Sequence, residues 1–205
     1  ELYNDEFLKL SIDNFPFTFI DRYLIGVKSH KVISDNYAST KSAVGNMIKK
    51  TNNQIVFITP DSSNTVTQER LSGFKDAFSE QKAVLHSDFI FKLDMRITSS
   101  NDKFNTIYHY LNQLENFTGI FCANNEMALL VYYVLKKHFP HKLNNVQLVT
   151  FDEIYLPEFS YIQQDTKSIC KHAVESVMKQ IEGEPTAESI VVPCKFVSCF
   201  EEKFQ

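Results

Sequence analysis

The sequence predicts an α/β fold on parallel sheets, and two observations carry that prediction. Short apolar runs alternate with helix-period stretches from about residue 54 to 151. The alternation reads β-α-β-α-β-α-β, which implies a parallel sheet with helices on both faces and right-handed crossovers. Polar or loop-forming residues follow the strand-like runs, where an open parallel sheet binds its ligands.

The elements follow in order. Phe15 to Asp21 is an aromatic-rich run that reads as a strand ending in a carboxylate. Ser39 or Thr40 caps a helix to about Lys50, with Ala43, Val44, Met47 and Ile48 on one face. Gln54 to Thr59 is a strand closed by Pro60. A helix starts at Thr67 or Gln68 and carries Leu71, Phe74 and Phe78 at i, i+3 and i+7. Val84 to Leu93 is strand-like. Asn101 or Asp102 caps a helix bearing Phe104, Ile107, Tyr108, Leu111 and Leu114. Thr118 to Ala123 is a buried-strand pattern, Glu126 to Phe139 an apolar helix stopped by Pro140, and Val146 to Phe151 a strand. Lys167 to Glu182 is helical, with Ile169, Ala173, Val177 and Ile181 every four residues and Gly183 at C′. Ile190 to Pro193 and Lys195 to Cys199 are late strands.

Composition bounds the function. The chain has 205 residues, a formal charge of -4, 43% hydrophobic and 22% charged residues, which are globular values. No apolar run approaches the ~18–20 residues that span a bilayer. A mildly acidic chain without a basic cluster is a poor nucleic-acid binder on its own. The four cysteines (Cys122, Cys170, Cys194, Cys199) have no CxxC spacing and read as buried free thiols in a reducing compartment, with Cys170 on the apolar side of its helix. No Cys/His cluster has metal-ligand spacing.

Catalytic signatures are missing. There is no GxSxG, GxGxxG or GxxxxGK[ST], and five glycines leave no phosphate loop. The six histidines pair with no nucleophile motif, and His109 and His172 read as surface residues. No cofactor is implied. Binding is better served: Asp, Asn, Gln and Arg supply the planar donors and acceptors that read vicinal hydroxyls.

Several ordered motifs resemble the lactose/galactose-repressor (LacI/GalR) family over nearly the whole chain. They are Phe19-Ile20-Asp21-Arg22-Tyr23, Val32 to Tyr37, Glu69-Arg70-Leu71-Ser72-Gly73-Phe74, Thr118 to Leu129, Val146 to Ile154, Gln163-Gln164-Asp165 and the helix Ala173 to Gly183. The resemblance implies two Rossmann-like subdomains of the type I periplasmic-binding-protein kind, joined by three crossovers, with an effector in the cleft. The family's early βαβ stretch has no counterpart here, so the N-terminal subdomain is expected to be incomplete: residues 1–50 and 165–192. Residues 51–164 and 193–205 would form the C-terminal subdomain. Tyr3-Asn4-Asp5-Glu6 and Asp21-Arg22-Tyr23-Leu24 most resemble arabinose-repressor-type members, which carry a GntR-type winged helix for DNA. Two departures concern the family's usual Asn-Asp, which is Asn124-Asn125 here, and its Asp-Asp, which is Asp152-Glu153.

The resemblance implies ligand-binding roles for Asp21, Arg70, Asn124, Asp152 and Gln164. Asn36 and Asp35 are weaker candidates, and Gly73 fits close helix packing. The expected ligand is a neutral monosaccharide, because two carboxylates against one guanidinium do not favour an anion. The implied protein is a cytoplasmic homodimeric transcription regulator, no enzyme, that touches DNA only through a domain absent from this chain. A sugar-binding protein of a transport system is the alternative, and an enzyme on a doubly wound sheet is a third reading.

Overall fold

The computed structural model describes residues 4–114, 116–183 and 188–199. In chain order the elements are α1 (Asn4–Ile12), β1 (Thr18–Ile20), β2 (His30–Ser34), α2 (Asn36–Lys50), β3 (Ile55–Pro60), α3 (Thr65–Glu80), β4 (Ile90–Leu93) and α4 (Ser100–Gln113). Then come β5 (Gly119–Cys122), α5 (Asn125–His138), α6 (Pro140–Leu143), β6 (Gln147–Phe151), β7 (Phe159–Gln163), α7 (Thr166–Ile181), β8 (Ser189–Val192) and β9 (Lys195–Val197). They build two sheets. The smaller is ordered β1-β2-β8 and all parallel; the larger is ordered β4-β3-β5-β6-β7-β9 and parallel except for the β7–β9 pair.

The central strands β3, β5 and β6 of the large sheet are buried on both faces, which is why they read as continuous apolar runs. Side chains alternate across a strand, so successive β3 residues serve different cores. Val56 and Ile58 join Ile107, Leu111, Met127, Val131 and Leu135 on the α4/α5 side. Ile55 and Phe57 join Val44, Met47, Phe74 and Phe78 on the α2/α3 side. Phe57 stacks on Phe74 with ring centroids 4.8 Å apart.

The small sheet is covered by α7, where Val32 and Val192 pack on Ile169 and Ala173. The seam ends in a polar network: Ser176 Oγ lies 3.0 Å from both His30 Nδ1 and Thr18 Oγ1. Phe7 of α1 packs its ring near Phe17 and Phe19 at the same sheet.

One expected boundary moves. The sequence assigned residues 1–50 to the smaller unit, but α2 packs on α3 and the large sheet, because its apolar face meets Phe74 and Phe78. The chain therefore leaves the small sheet after Ser34. It returns between Gln163 and Thr166 and leaves again between Val192 and Lys195. Tyr3, residues 184–187 and residues 200–205 lie outside the described residues.

Helices α2, α3 and α4 begin two to five residues earlier than their apolar periodicity suggests, because polar caps start them. Asp35 accepts from Ala38 N, Asn64 from Thr67 N and Ser99 from Asp102 N. On α7 the buried stripe is Ile169, Ala173 and Ser176, and Cys170 is exposed rather than buried. A strict four-residue repeat drifts about 40° per step around an α-helix, so Ile181 ends 61% exposed.

Candidate functional site

Arg70 is the centre of the site. It sits on the second turn of α3, which starts at Thr65 because Asn64 caps it. The residue is only 5% exposed. Its guanidinium lies over the Phe151 ring, 3.6 Å from the centroid. Its Nε donates to Asn36 Oδ1 at 2.9 Å and its Nη1 to the Ala123 carbonyl at 2.6 Å. The same Nη1 lies 3.7 Å from Asp152 Oδ2. A planar cation with fixed donors suits this stacked, buried setting better than an ammonium would. Burial pulls the Arg70 pKa down, and the Asp152 and Asp21 carboxylates act against that pull. Among the described residues, Nη2 makes no hydrogen bond.

Asp152 follows β6 with φ 76°, a left-handed conformation that Asp tolerates better than most residues. Its backbone N–H donates to the Ile162 carbonyl at 3.0 Å, which turns the carboxylate out of the strand. Asp152 Oδ1 accepts from Gln164 Nε2. Gln164 Oε1 in turn accepts from the Ser34 hydroxyl. One amide side chain thus ties the end of β2 in the small sheet to the end of β6 in the large one.

Asp21 ends β1 with φ 64°. Its N–H donates to the Val32 carbonyl at 3.0 Å, and Arg22 N donates to Ile20 O at 2.6 Å in a tight turn. Burial raises the Asp21 pKa; Arg70 and Arg22 oppose the rise, and Asp152 adds to it. Asp21 and Asp152, from different sheets, therefore address one guanidinium.

Asn124 takes a different place. Its Oδ1 caps α5 by accepting from Met127 N at 3.0 Å. It adjoins the site through Ala123, whose carbonyl holds Arg70. The structure thus joins Arg70, Asp152 and Gln164 by direct contact and Asp21 by charge, while the oxygen of Asn124 serves a helix. Asp35 is likewise a cap, of α2.

Other residues around Arg70 are less visible in sequence. Asn36 is buried, and its Nδ2 donates to Ser34 O and Glu69 Oε2, both at 3.2 Å. Tyr23 Oη donates to Glu69 Oε1 at 3.1 Å. The available signals are modest: Asn36 follows a strand end, and Tyr23 and Glu69 stand beside Asp21-Arg22 and Arg70 in sequence. Among the described residues, no group of three or more His, Cys, Asp or Glu could hold a metal ion. No helix of the described residues is long and apolar enough to cross a membrane.

Residues 44–198 match the family described as the periplasmic binding protein-like domain. A ribose operon repressor of Haemophilus influenzae is 23% identical over 173 residues, covering 82% of this chain and 51% of that protein. The transcriptional repressor PurR of Photobacterium profundum is 24% identical over 153 residues, covering 72% of this chain and 44% of that one. The chain spans about half the length of these curated relatives. Among solved structures, a LacI-type transcriptional regulator of Bacillus cereus subsp. cytotoxis superposes with a TM-score of 0.80 at 26% identity, covering 95% of this chain and 71% of that one. A LacI-family regulator of Enterococcus faecium with bound ribose gives a TM-score of 0.78 at 20% identity, covering 95% and 74%.

Proposed function

The chain belongs to the periplasmic binding protein-like domain family, in the form that LacI/GalR regulators carry, and from that premise we propose that it is the effector-sensing domain of a bacterial transcription regulator. The observation that carries this reading is the Arg70–Asp152–Gln164–Ser34 chain of contacts, which runs from a buried guanidinium to the smaller sheet. A ligand that engages these groups touches both lobes, so its differential affinity favours one arrangement of the lobes over another.

The effector is a neutral monosaccharide. Asp21 and Asp152 accept from its hydroxyls, Arg70 Nη2 and the Asn124 amide nitrogen donate, and Gln164 shares its hydrogen bonds between ligand and Asp152. An anionic effector would meet two carboxylates around one buried guanidinium that is already paired, which disfavours it. The cleft lies between a small lobe, residues 4–35, 164–183 and 188–192, and a large lobe, residues 36–114, 116–163 and 193–199. The protein acts in the cytoplasm as a homodimer, touches DNA through a separate domain and performs no turnover. Relatives that are repressors, rather than transport proteins, support this reading over a transport role.

A thermal-shift screen of the full-length protein tests it. Neutral pentoses and hexoses are compared with their phosphates, each with and without operator DNA from upstream of its own gene. One neutral sugar is expected to raise Tm and change DNA affinity. A response to phosphorylated sugars alone would overturn the ligand class, and conversion of the sugar would overturn the non-enzymatic reading.

A further inference from the structure

We propose that Tyr23 and Glu69 form an inter-lobe latch that couples cleft closure to occupancy of Arg70. This rests on the effector-binding reading of the cleft. Tyr23 lies in the loop after β1, on the small sheet's side. Its hydroxyl donates to Glu69 Oε1 at 3.1 Å, on α3 of the large lobe. Its backbone N–H donates to Thr65 Oγ1 at 3.4 Å, one turn earlier on the same helix. The Lys31 ammonium lies 3.7 Å from the Tyr23 ring centroid, so β2 holds the ring that α3 receives. Backbone, ring and hydroxyl of one small-lobe residue are thus each engaged, two of them by α3.

The latch continues into the site. Glu69 Oε2 accepts from Asn36 Nδ2 at 3.2 Å, and Asn36 Oδ1 accepts from Arg70 Nε at 2.9 Å. Asn36 is a buried, planar amide whose donor also reaches the Ser34 carbonyl, so it has little freedom to rotate without breaking both sides. A ligand oxygen fixed on Arg70 Nη2 fixes the guanidinium plane. That plane sets the Asn36 amide, and Asn36 holds Glu69 in the orientation that Tyr23 requires. Coupling is reciprocal: a ligand that steadies the latch is bound more weakly when the latch is cut. Tyr23 and Glu69 are not among the residues assigned to the ligand; they act through Asn36 and Arg70, so both are positioning residues. Partial burial and the Glu69 carboxylate both raise the Tyr23 phenol pKa, a signature that reads the latch directly.

The experiment uses the full-length protein with donor and acceptor dyes on non-natural amino acids at Lys28 and Lys75, and 3-fluorotyrosine to follow Tyr23 by 19F NMR. Without sugar, Tyr23→Phe and Glu69→Gln should each lengthen the dye separation. Glu69→Gln should shift the titration of the fluorotyrosine at position 23 down relative to its midpoint in the otherwise wild-type protein, because the neighbouring carboxylate that raises it is gone. With whichever neutral sugar the thermal-shift screen identifies, both variants should bind about 2- to 10-fold more weakly, the worth of one hydrogen bond. Unchanged separations in both variants, or a Tyr23 titration indifferent to Glu69→Gln, would overturn the latch. If no sugar binds the wild type, the effector reading fails, while the sugar-free separations still decide the latch.

Discussion

Asp21 and Asp152 close strands of different sheets with the same left-handed backbone, φ 64° and 76°, and both carboxylates act on the Arg70 guanidinium. Asp is among the residues that adopt this conformation at modest strain. The shared geometry separates two roles that an alanine scan would merge.

At Asp152, Ala removes the carboxylate and also strains the backbone, whereas Gly removes the carboxylate and accepts a positive φ. Asp152→Gly should weaken effector binding by about 5- to 150-fold, the 1–3 kcal/mol of leaving a buried donor unpaired. Asp152→Ala should match that loss and be less stable than Asp152→Gly. Isothermal calorimetry and thermal melts of the two variants separate these effects; equal melting temperatures would show that φ 76° stores no strain.

Asp21 predicts a pH dependence. Burial raises its carboxyl above the ordinary 3.8, against the pull of Arg70 and Arg22. In the proposed site the ionised carboxylate of Asp21 is the stronger acceptor for a ligand hydroxyl, so effector affinity is expected to weaken as pH drops through the raised value, earlier than for an ordinary aspartate. For stability the sign reverses. The native state holds this proton more tightly than the unfolded chain, so the group's contribution declines as pH rises from 3.8 through the raised value. Asp94, held down to about 2 by Arg96, works the other way and loses its contribution as pH falls from 3.8 toward that value. Affinity measured from neutral to acid pH in wild type and Asp21→Asn is the check. An acid loss of the same shape in Asp21→Asn would remove Asp21 from the site.

Gly73 sets the spacing of α2 and α3. A Cβ there would run into the Tyr37 carbonyl and come within 3.2 Å of Lys41 N and Thr40 Cβ. Gly73→Ala should destabilise by about 1–3 kcal/mol, the usual penalty of overpacking. Because Asn36 begins α2 and Arg70 lies on α3, effector affinity should fall with it. A variant as stable as wild type in urea would show that the two helices separate freely.

Phe74 is fully buried between Phe57 and Phe78 under the large sheet. Phe74→Ala should cost about 3–5 kcal/mol, the range for removing a core aromatic. A loss under 1 kcal/mol in denaturant melts would mean that the α2/α3 side collapses to fill the space.

The large sheet was legible because its central strands are buried on both faces and its helices keep a clear apolar period. Phe159–Gln163, the strand β7, was not expected: five residues after Pro157 carry too few alternations to stand out from a loop. Helix α1 was also unforeseen, since it is short and none of its residues is buried. At the site, strand ends and motif resemblance pointed to Asp21, Arg70 and Asp152. The contacts that connect them were beyond reach, because Gln164–Ser34 and Tyr23–Glu69 join residues 130 and 46 positions apart. Asn124 shows the ambiguity of a single residue type: the oxygen that would read a ligand is the one that caps α5.

The most direct test of the central claim is isothermal calorimetry of the full-length protein against neutral pentoses and hexoses and their phosphates, with Arg70→Met and Asp152→Gly alongside. Saturable binding of a neutral sugar by wild type, abolished in Arg70→Met and weakened about 5- to 150-fold in Asp152→Gly, is the predicted result. Binding of phosphorylated sugars alone, or wild-type affinity in a folded Asp152→Gly variant, would contradict it.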